Sequence, residues 1–267
     1  MQTTKEEKRT STQDMTIVVR KYEKNSDREE VLKIFRDGMI STIQPGLKEK
    51  LINSYYFMAY FCLISSIFFY YNYIVYSSSL TISPKDTIYD DENGMNSNNN
   101  NILYWICYIL ASSVLPYIAI SFLSYKIADG YVVESITEKD LKSIEKYYLQ
   151  TENKRSMFWV ACIGTEVVGT IALDEIKEGN KEGWKVGDGE LRRMSVKKTC
   201  RGKGISRQLF LNLKKFCQQK KYKRIVLSTS ELQKVACKMY SDSYNFEIEK
   251  IINWNGLLNI KYFKLEL

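Results

Sequence analysis

The chain has 267 residues, with 39 Lys and Arg against 31 Asp and Glu, a formal net charge of +8 and no histidine. That length buries a sizeable core, as one large domain or two small ones. The missing histidine excludes a Ser-His-Asp triad, a Cys-His pair and His-ligated zinc or haem, so proton transfer falls to Glu, Asp, Tyr, Cys, Lys or water.

The positive charge is local. Residues 191–230 hold 13 basic side chains and no acidic one, and the rest of the chain is net −5. A basic stretch of this kind fits a phosphate-rich ligand, an anionic membrane face or nucleic acid, or a plain solvated helix face.

In chain order, residues 1–15 are polar and read as a flexible tail. Residues 16–22 are rich in β-branched types and predict a strand. Ser26 or Asp27 then caps a helix running to about Gly38, with Val31, Ile34 and Phe35 on one face. Residues 51–84 and 93–125 are uncharged, and each contains an apolar run of the ~20 residues needed to cross a bilayer core. Neither lies at the N-terminus, so neither reads as a cleaved signal peptide. Residues 51–125 are therefore expected to form a two-helix membrane hairpin with a polar loop at 77–101. A re-entrant or interfacial hairpin is the alternative, because the first run is rich in Tyr and Ser. Arg36, Lys48, Lys50 and Lys126 flank the outer ends and place them in the cytosol by the positive-inside rule.

Residues 16–50 and 126–267 then make one soluble domain split by the hairpin. Thr137 caps a helix over 138–149 that buries Leu141, Ile144 and Tyr148. Residues 157–163 and 167–173 form a β-hairpin across Gly164-Thr165, and a polar, glycine-containing loop at 177–189 leads to a strand at 191–196. An amphipathic helix at 204–218 turns Ile205, Leu209, Phe210, Leu213 and Phe216 inward. A strand at 225–230, a helix at 232–243 and two terminal strands at 246–252 and 257–265 complete a mixed α/β sheet flanked by helices. The six cysteines contain no C-x-x-C pair, so neither a disulfide framework nor a zinc site is expected.

The strongest chemical signal is a strand, a basic turn and a helix: Arg192-Arg193-Met194-Ser195-Val196, then 197–200, then Arg201-Gly202-Lys203-Gly204-Ile205-Ser206. Helix N-termini present free N–H groups and a positive dipole end, and glycines let a phosphate come close to the backbone. The spacing is neither that of a P-loop nor that of a dinucleotide fingerprint. It resembles the acetyl-CoA signature R/Q-x-x-G-x-G/A of the GNAT superfamily of N-acetyltransferases, with Ser206 at the last small position. A second segment, residues 227–240, is similar to the family's next strand and helix, with Gln233, Ala236 and Tyr240 at the family's spacing. Phe246 comes one residue later than in the family's usual Y-x-x-x-G-F, and Asn245 stands where Gly is usual. The layout is most similar to the membrane-anchored branch, which includes cysteine-S-conjugate N-acetyltransferases, aspartate N-acetyltransferase and reticulum lysine acetyltransferases. Members often carry His where this chain has Arg193 and Cys200.

The resemblance implies a GNAT-like mixed sheet with an inserted transmembrane hairpin. It also implies acetyl-CoA as co-substrate, no metal, and transfer of acetyl to a primary amine: a cysteine conjugate, an amino acid or a lysine. Met194, Ser195 and Val196 would pair with the pantetheine, Arg201, Gly202, Lys203, Gly204, Ile205 and Ser206 would cradle the pyrophosphate, and Gln233 would complete the cofactor site. Tyr240 would protonate the leaving thiolate. From the residues themselves, Glu190 is the best acidic candidate for the base, ahead of Glu134 and Glu231, with water as the alternative. The expected setting is a lipid bilayer, of the endoplasmic reticulum, with the domain facing the cytosol and self-association through the hairpin. No nucleic acid partner is expected, since aromatics for base stacking are sparse in the basic window. The competing class is a non-catalytic membrane protein whose basic stretch binds anionic lipid or nucleic acid.

Overall fold

The computed structural model describes residues 16–81, 106, 108, 110–150, 155–178, 183–254, 256 and 258–267. The expected tail, most of the polar loop and the first residues of the second apolar run lie outside these. The chain divides into two compact units, one of residues up to Ser41 together with Gly130–Leu267, the other Thr42–Asp129.

The first unit is built on a seven-stranded mixed sheet. Its strands are β1 (Ile17–Lys21), β2 (Met157–Ile163), β3 (Glu166–Glu175), β4 (Gly189–Val196), β5 (Arg224–Ser230), β6 (Glu247–Trp254) and β7 (Leu258–Glu266). Their spatial order is β1-β2-β3-β4-β5-β7-β6, and every neighbouring pair is antiparallel except β4 with β5. The two terminal strands do pair, but β7 is the one that enters the sheet. It carries fully buried Phe263, whereas β6 is exposed along nearly its whole length and takes the edge.

The helices are α1 (Lys24–Ile52), α2 (Tyr55–Thr81), α3 (Leu115–Thr137), α4 (Ile205–Gln219) and α5 (Lys234–Lys238). β2 and β3 read as unbroken apolar runs because both of their faces are covered. On one face Trp159, Ala161, Val168, Ile171 and Leu173 meet Ile205, Leu209 and Leu213 of α4. On the other, Phe158, Val160, Cys162 and Ala172 meet Val31, Ile34 and Phe35 of α1, and Leu141, Ile144 and Tyr148.

Several helix boundaries differ from those expected. α1 begins at Lys24, so Asp27 lies inside it; its carboxylate accepts the Glu23 N–H at 2.8 Å and pairs with Arg20 at 2.7 Å. α1 also runs well past Gly38. That glycine does not end the helix; it lets α1 lie close on the sheet, since a Cβ there would collide with Ser195 Oγ. Thr137 is the last residue of α3 and its hydroxyl bonds back to Val133, so it caps nothing downstream. The following segment is a 3₁₀ turn (Asp140–Ser143) and a π-helical turn (Glu145–Leu149) instead of an α-helix, although Leu141, Ile144 and Tyr148 are buried as expected. The helix expected over 232–243 is short α5 followed by a π-helical turn, Met239–Ser243.

In the second unit, Phe57–Ile74 is long and apolar enough to cross a membrane, with mean hydropathy 1.4 and none of the window buried. Among the described residues no second helix meets that test. The second apolar run is described only in part, as a π-helical turn (Leu110–Val114) and the start of α3, where Leu115, Ile118, Phe122 and Leu123 are exposed. Ser65 and Tyr108 share a 2.8 Å hydrogen bond, and the Phe68 and Tyr108 rings lie 4.1 Å apart.

The orientation of α4 makes a direct prediction. Leu209 is fully buried and Leu211 is exposed. Leu209→Ala is expected to cost about 2–5 kcal/mol in denaturant unfolding, and Leu211→Ala no more than about 0.5 kcal/mol. Equal losses would contradict this packing.

Candidate functional site

β4 and β5 are joined by only two parallel rungs, Gly189 with Ile225 and Glu190 with Val226. β4 goes on pairing with β3 as far as Val196, and β5 pairs with β7 along its whole length. From Leu191 and Leu227 onward the two strands therefore part, leaving a wedge that opens toward their C-terminal ends. A gap at the carboxyl ends of parallel strands is where open α/β sheets bind ligands.

The parting coincides with a β-bulge. Arg192 lies opposite Ala172 and Ser195 opposite Thr170, so Arg193 and Met194 together face Ile171 alone. Arg193 has φ +54°, in the left-handed region. A non-glycine residue held there stores about 1–3 kcal/mol, and bulges redirect the backbone that follows. Arg193 is pinned at both ends. Thr170 Oγ1 donates to its carbonyl at 2.8 Å. Its guanidinium donates to the Asp140 carboxylate, from Nε at 2.8 Å and also from Nη2, and lies over the Phe35 ring at 4.8 Å. Asp140, only 1% exposed, also accepts from the Tyr148 hydroxyl and from Arg192 at 3.4 Å.

Beyond β4, residues 198–200 make one 3₁₀ turn and α4 begins at Ile205. Gly202 and Gly204 have φ +79° and +77°, conformations that glycine takes without steric cost. Nothing lies within 4 Å of where their Cβ atoms would be, so the backbone here is open to a bulky anion. Gly204 occupies the N-cap position without a side-chain cap, which leaves first-turn N–H groups for an anion. Arg201 and Lys203 are exposed beside this turn, and Arg201 Nε donates to the Val196 carbonyl at 3.1 Å. Ile205 is buried in the core, so only its backbone faces the turn. Ser195 is similarly used: its hydroxyl donates to the Ile34 carbonyl at 3.1 Å, leaving the strand backbone as its contribution. The Gln233 side chain accepts from Thr229 Oγ1 at 3.1 Å and reaches Met39 Sδ at 3.7 Å.

Tyr240 closes the wedge from the α4 and α5 side. Its hydroxyl lies 3.8 Å from Met194 Sδ, and its ring packs among Tyr244, Phe246 and Phe263. Burial pushes its phenol well above the ordinary value, so it stays protonated and able to donate. The one-residue excess before Phe246 has a structural resolution. The π-helical turn at Met239–Ser243 absorbs the extra residue, Asn245 takes the left-handed conformation (φ +57°) that glycine would otherwise supply, and the Phe246 N–H bonds to the Tyr240 carbonyl at 2.9 Å.

Glu190 lies at the last paired rung, where the wedge closes. Burial raises its carboxyl above the usual range, against the lowering effect of Arg192, whose Nε is 3.8 Å from it. Arg192 continues to Asp174 at 3.5 Å and to the Tyr147 hydroxyl at 3.1 Å. Tyr147 and Asp174 line a cleft of about 930 Å³ with Lys142, Lys146 and Glu178. Of the weaker acids, Glu231 is taken up by the Asn259 backbone and side-chain N–H groups, and Glu134 pairs with Lys139.

Not all of the basic window is available to an anion. Arg193 is consumed by Asp140, Arg224 donates to buried Asp188 at 3.0 Å, and Lys197 pairs with Glu166. The Arg193 guanidinium is thereby taken up inside the fold. Asp140 and Thr170 escaped sequence reasoning. The signal for a partner was Arg192-Arg193 itself. In a regular strand adjacent arginines point to opposite faces, so one would enter the apolar core unless a bulge and a buried carboxylate received it.

Residues 125–246 match the family described as acetyltransferase (GNAT). Among curated proteins, N-acetylaspartate synthetase of Xenopus tropicalis is 38% identical over 108 residues, covering 40% of this chain and 36% of that one. The Danio rerio N-acetylaspartate synthetase is 31% identical over 143 residues, covering 51% and 47%. N-acetyltransferase 8F1 of Mus musculus is 34% identical over 113 residues, covering 41% and 47%. In each case the match spans less than half the length of the relative.

Asp140 gives the site an acid-sensitive component. Burial alone would raise its pKa, but the Arg193 hydrogen bond and the charges of Arg192 and Arg193 outweigh it and hold it below the usual range. Its stabilisation is present above the unfolded carboxylate value of about 3.9 and is lost as pH falls below that toward the lower folded value. Thermal unfolding between about pH 7 and pH 3 is expected to show wild type losing stability more steeply than Asp140→Asn at the acid end. The variant is expected to be about 3–5 kcal/mol less stable at neutral pH, where Arg193 is left buried without its counter-charge. Parallel curves would contradict the assignment.

Proposed function

We propose that this chain, whose residues 125–246 match the acetyltransferase (GNAT) family, is an acetyl-CoA-dependent N-acetyltransferase whose active centre is the wedge between β4 and β5. The observation that carries the reading is the parting of these strands beside Tyr240 and above the Gly202–Gly204 turn. The backbone of Met194, Ser195 and Val196 pairs with the amides of the pantetheine arm. Arg201, Gly202, Lys203, Gly204, Ile205 and Ser206 hold the pyrophosphate by backbone N–H groups and positive charge. Gln233 steadies the end of β5 against α1, a supporting part in the cofactor site.

The acceptor amine attacks the thioester carbonyl, its nitrogen forming a bond to carbon as the carbon–sulfur bond breaks. The backbone N–H of Met194, re-aimed by the bulge, stabilises the developing oxyanion. Glu190 takes the proton lost from the amine, and Tyr240 gives its proton to the departing thiolate. Net, one proton passes from amine to thiol. A raised carboxyl suits a base near neutral pH, and a phenol that stays protonated suits an acid. The cleft beside Tyr147 and Asp174 is the acceptor's approach to Glu190.

The acceptor is a primary amine: an amino acid, a cysteine conjugate or a lysine. Relatives named for N-acetylaspartate favour the amino acid. The exposed apolar face of Phe57–Ile74, with the uncharged stretch after it, supports anchoring in a bilayer by a helical hairpin. The resemblance to the membrane-anchored branch supports the endoplasmic reticulum, with the domain in the cytosol.

Thiol release from acetyl-CoA, measured in membranes with aspartate, a cysteine S-conjugate and a lysine peptide as acceptors, tests this reading. At least one acceptor is expected to stimulate release. Tyr240→Phe is expected to lower kcat by ~10²- to 10⁴-fold while acetyl-CoA affinity changes little, and Glu190→Gln is expected to abolish the acidic limb of the pH profile. Unchanged turnover in Tyr240→Phe would remove that residue from the mechanism.

A further inference from the structure

The turn, the wedge and Tyr240 account for binding and for the leaving group, but not for what sets the direction of the Met194 amide. In the structure that direction is fixed one residue earlier. Arg193 alone on β4 is left-handed, at φ +54°. Its carbonyl is held from β3 by Thr170, and its side chain is held from beyond α3 by Asp140. Asp140 is itself braced by the Tyr148 hydroxyl and by Arg192. Released from these contacts, an arginine relaxes toward the ordinary β region, because its Cβ disfavours positive φ. The peptide between Arg193 and Met194 would turn with it, and the Met194 side chain against Tyr240 would follow.

Resting on the acetyltransferase reading, we propose that Asp140 is a positioning residue for the reaction, acting through Arg193: its carboxylate holds the left-handed bulge that aims the Met194 N–H into the wedge between β4 and β5. It touches no reacting atom. Its partners on every packed element are Arg192 and Arg193 of β4 and Tyr148 of the π-helical turn, with Ser135 of α3 at 3.5 Å from Arg193 Nη1. The chain thus uses a buried carboxylate and a strained arginine where a glycine would adopt the bulge unaided.

That last point supplies the test, because glycine takes φ +54° without a clamp. The full chain is compared as wild type, Asp140→Asn, Arg193→Gly and the double variant. Three readouts are taken: kcat and KM for acetyl-CoA, melting temperature, and hydrogen exchange of the peptide spanning 191–196. Asp140→Asn is expected to lower kcat by ~10- to 100-fold with the acetyl-CoA KM within about threefold, and to speed exchange in that peptide. Adding Arg193→Gly is expected to bring kcat and exchange back to those of Arg193→Gly alone, since the bulge no longer needs its clamp. A merely structural Asp140 would move melting temperature without this rescue. Unchanged kcat and exchange in Asp140→Asn would overturn the proposal, and so would a loss that Arg193→Gly does not repair. If wild type releases no thiol with any acceptor, the enzyme reading fails by itself. Exchange then decides the positioning role: faster exchange in Asp140→Asn with recovery in the double variant upholds the clamp, and unchanged exchange refutes it.

Discussion

The candidate site depends on one constraint: β4 leaves β5 after two rungs while pairing with β3 on both sides of the bulge. Parallel strands normally hydrogen-bond along their shared length. Here the bulge at Arg193 and Met194 changes the course of β4 just past Arg192, and β5 keeps its alignment because β7 holds its other edge. The wedge between them exposes strand backbone in an otherwise closed sheet. The helix that follows β4 presents its N-terminus beyond the same strand end, and Tyr240 is carried to it by the element that follows β5. In the proposed reading, binding of a long, phosphorylated, amide-containing ligand and protonation of its leaving group therefore both draw on one topological feature.

The bulge is an unusual solution for a non-glycine residue. Left-handed arginine is costly, a buried carboxylate is costly, and each offsets the other's penalty. Burial works against the charge on Asp140, yet the two arginines hold its pKa low. The ion pair is local, and the surrounding side chains Phe35, Tyr148 and Thr170 come from three different elements. The bulged part of β4 is thus tied to both the first helix and the turn after α3.

Much of this was legible in the sequence, and for definable reasons. β2, β3, β4, α4 and β5 announce themselves by period and by turn residues, and α4 buries Ile205, Leu209, Phe210 and Leu213 as its periodicity selects, with Phe216 half-buried and Cys217 buried beside it. The Gly202–Gly204 turn was legible because its chemistry is contiguous. What failed was punctuation set by tertiary contact. Gly38 looked like a helix end but serves close packing against Ser195. Thr137 looked like a cap but closes a helix. The late Phe246 looked like a departure and is absorbed by a π-helical turn and a left-handed Asn245. Asp140 was invisible because it lies 53 residues from Arg193 in sequence. The basic window, read as one surface, includes arginines whose charges are spent inside the fold.

The central claim is that the wedge and the turn beyond it hold acetyl-CoA. Hydrogen exchange of the full chain with and without saturating acetyl-CoA tests it most directly, because both segments contribute backbone N–H groups. Protection concentrated in residues 194–196 and 202–206, with the apolar helices of the second unit unchanged, is the predicted result. Protection confined to other segments, or none at all, would contradict it.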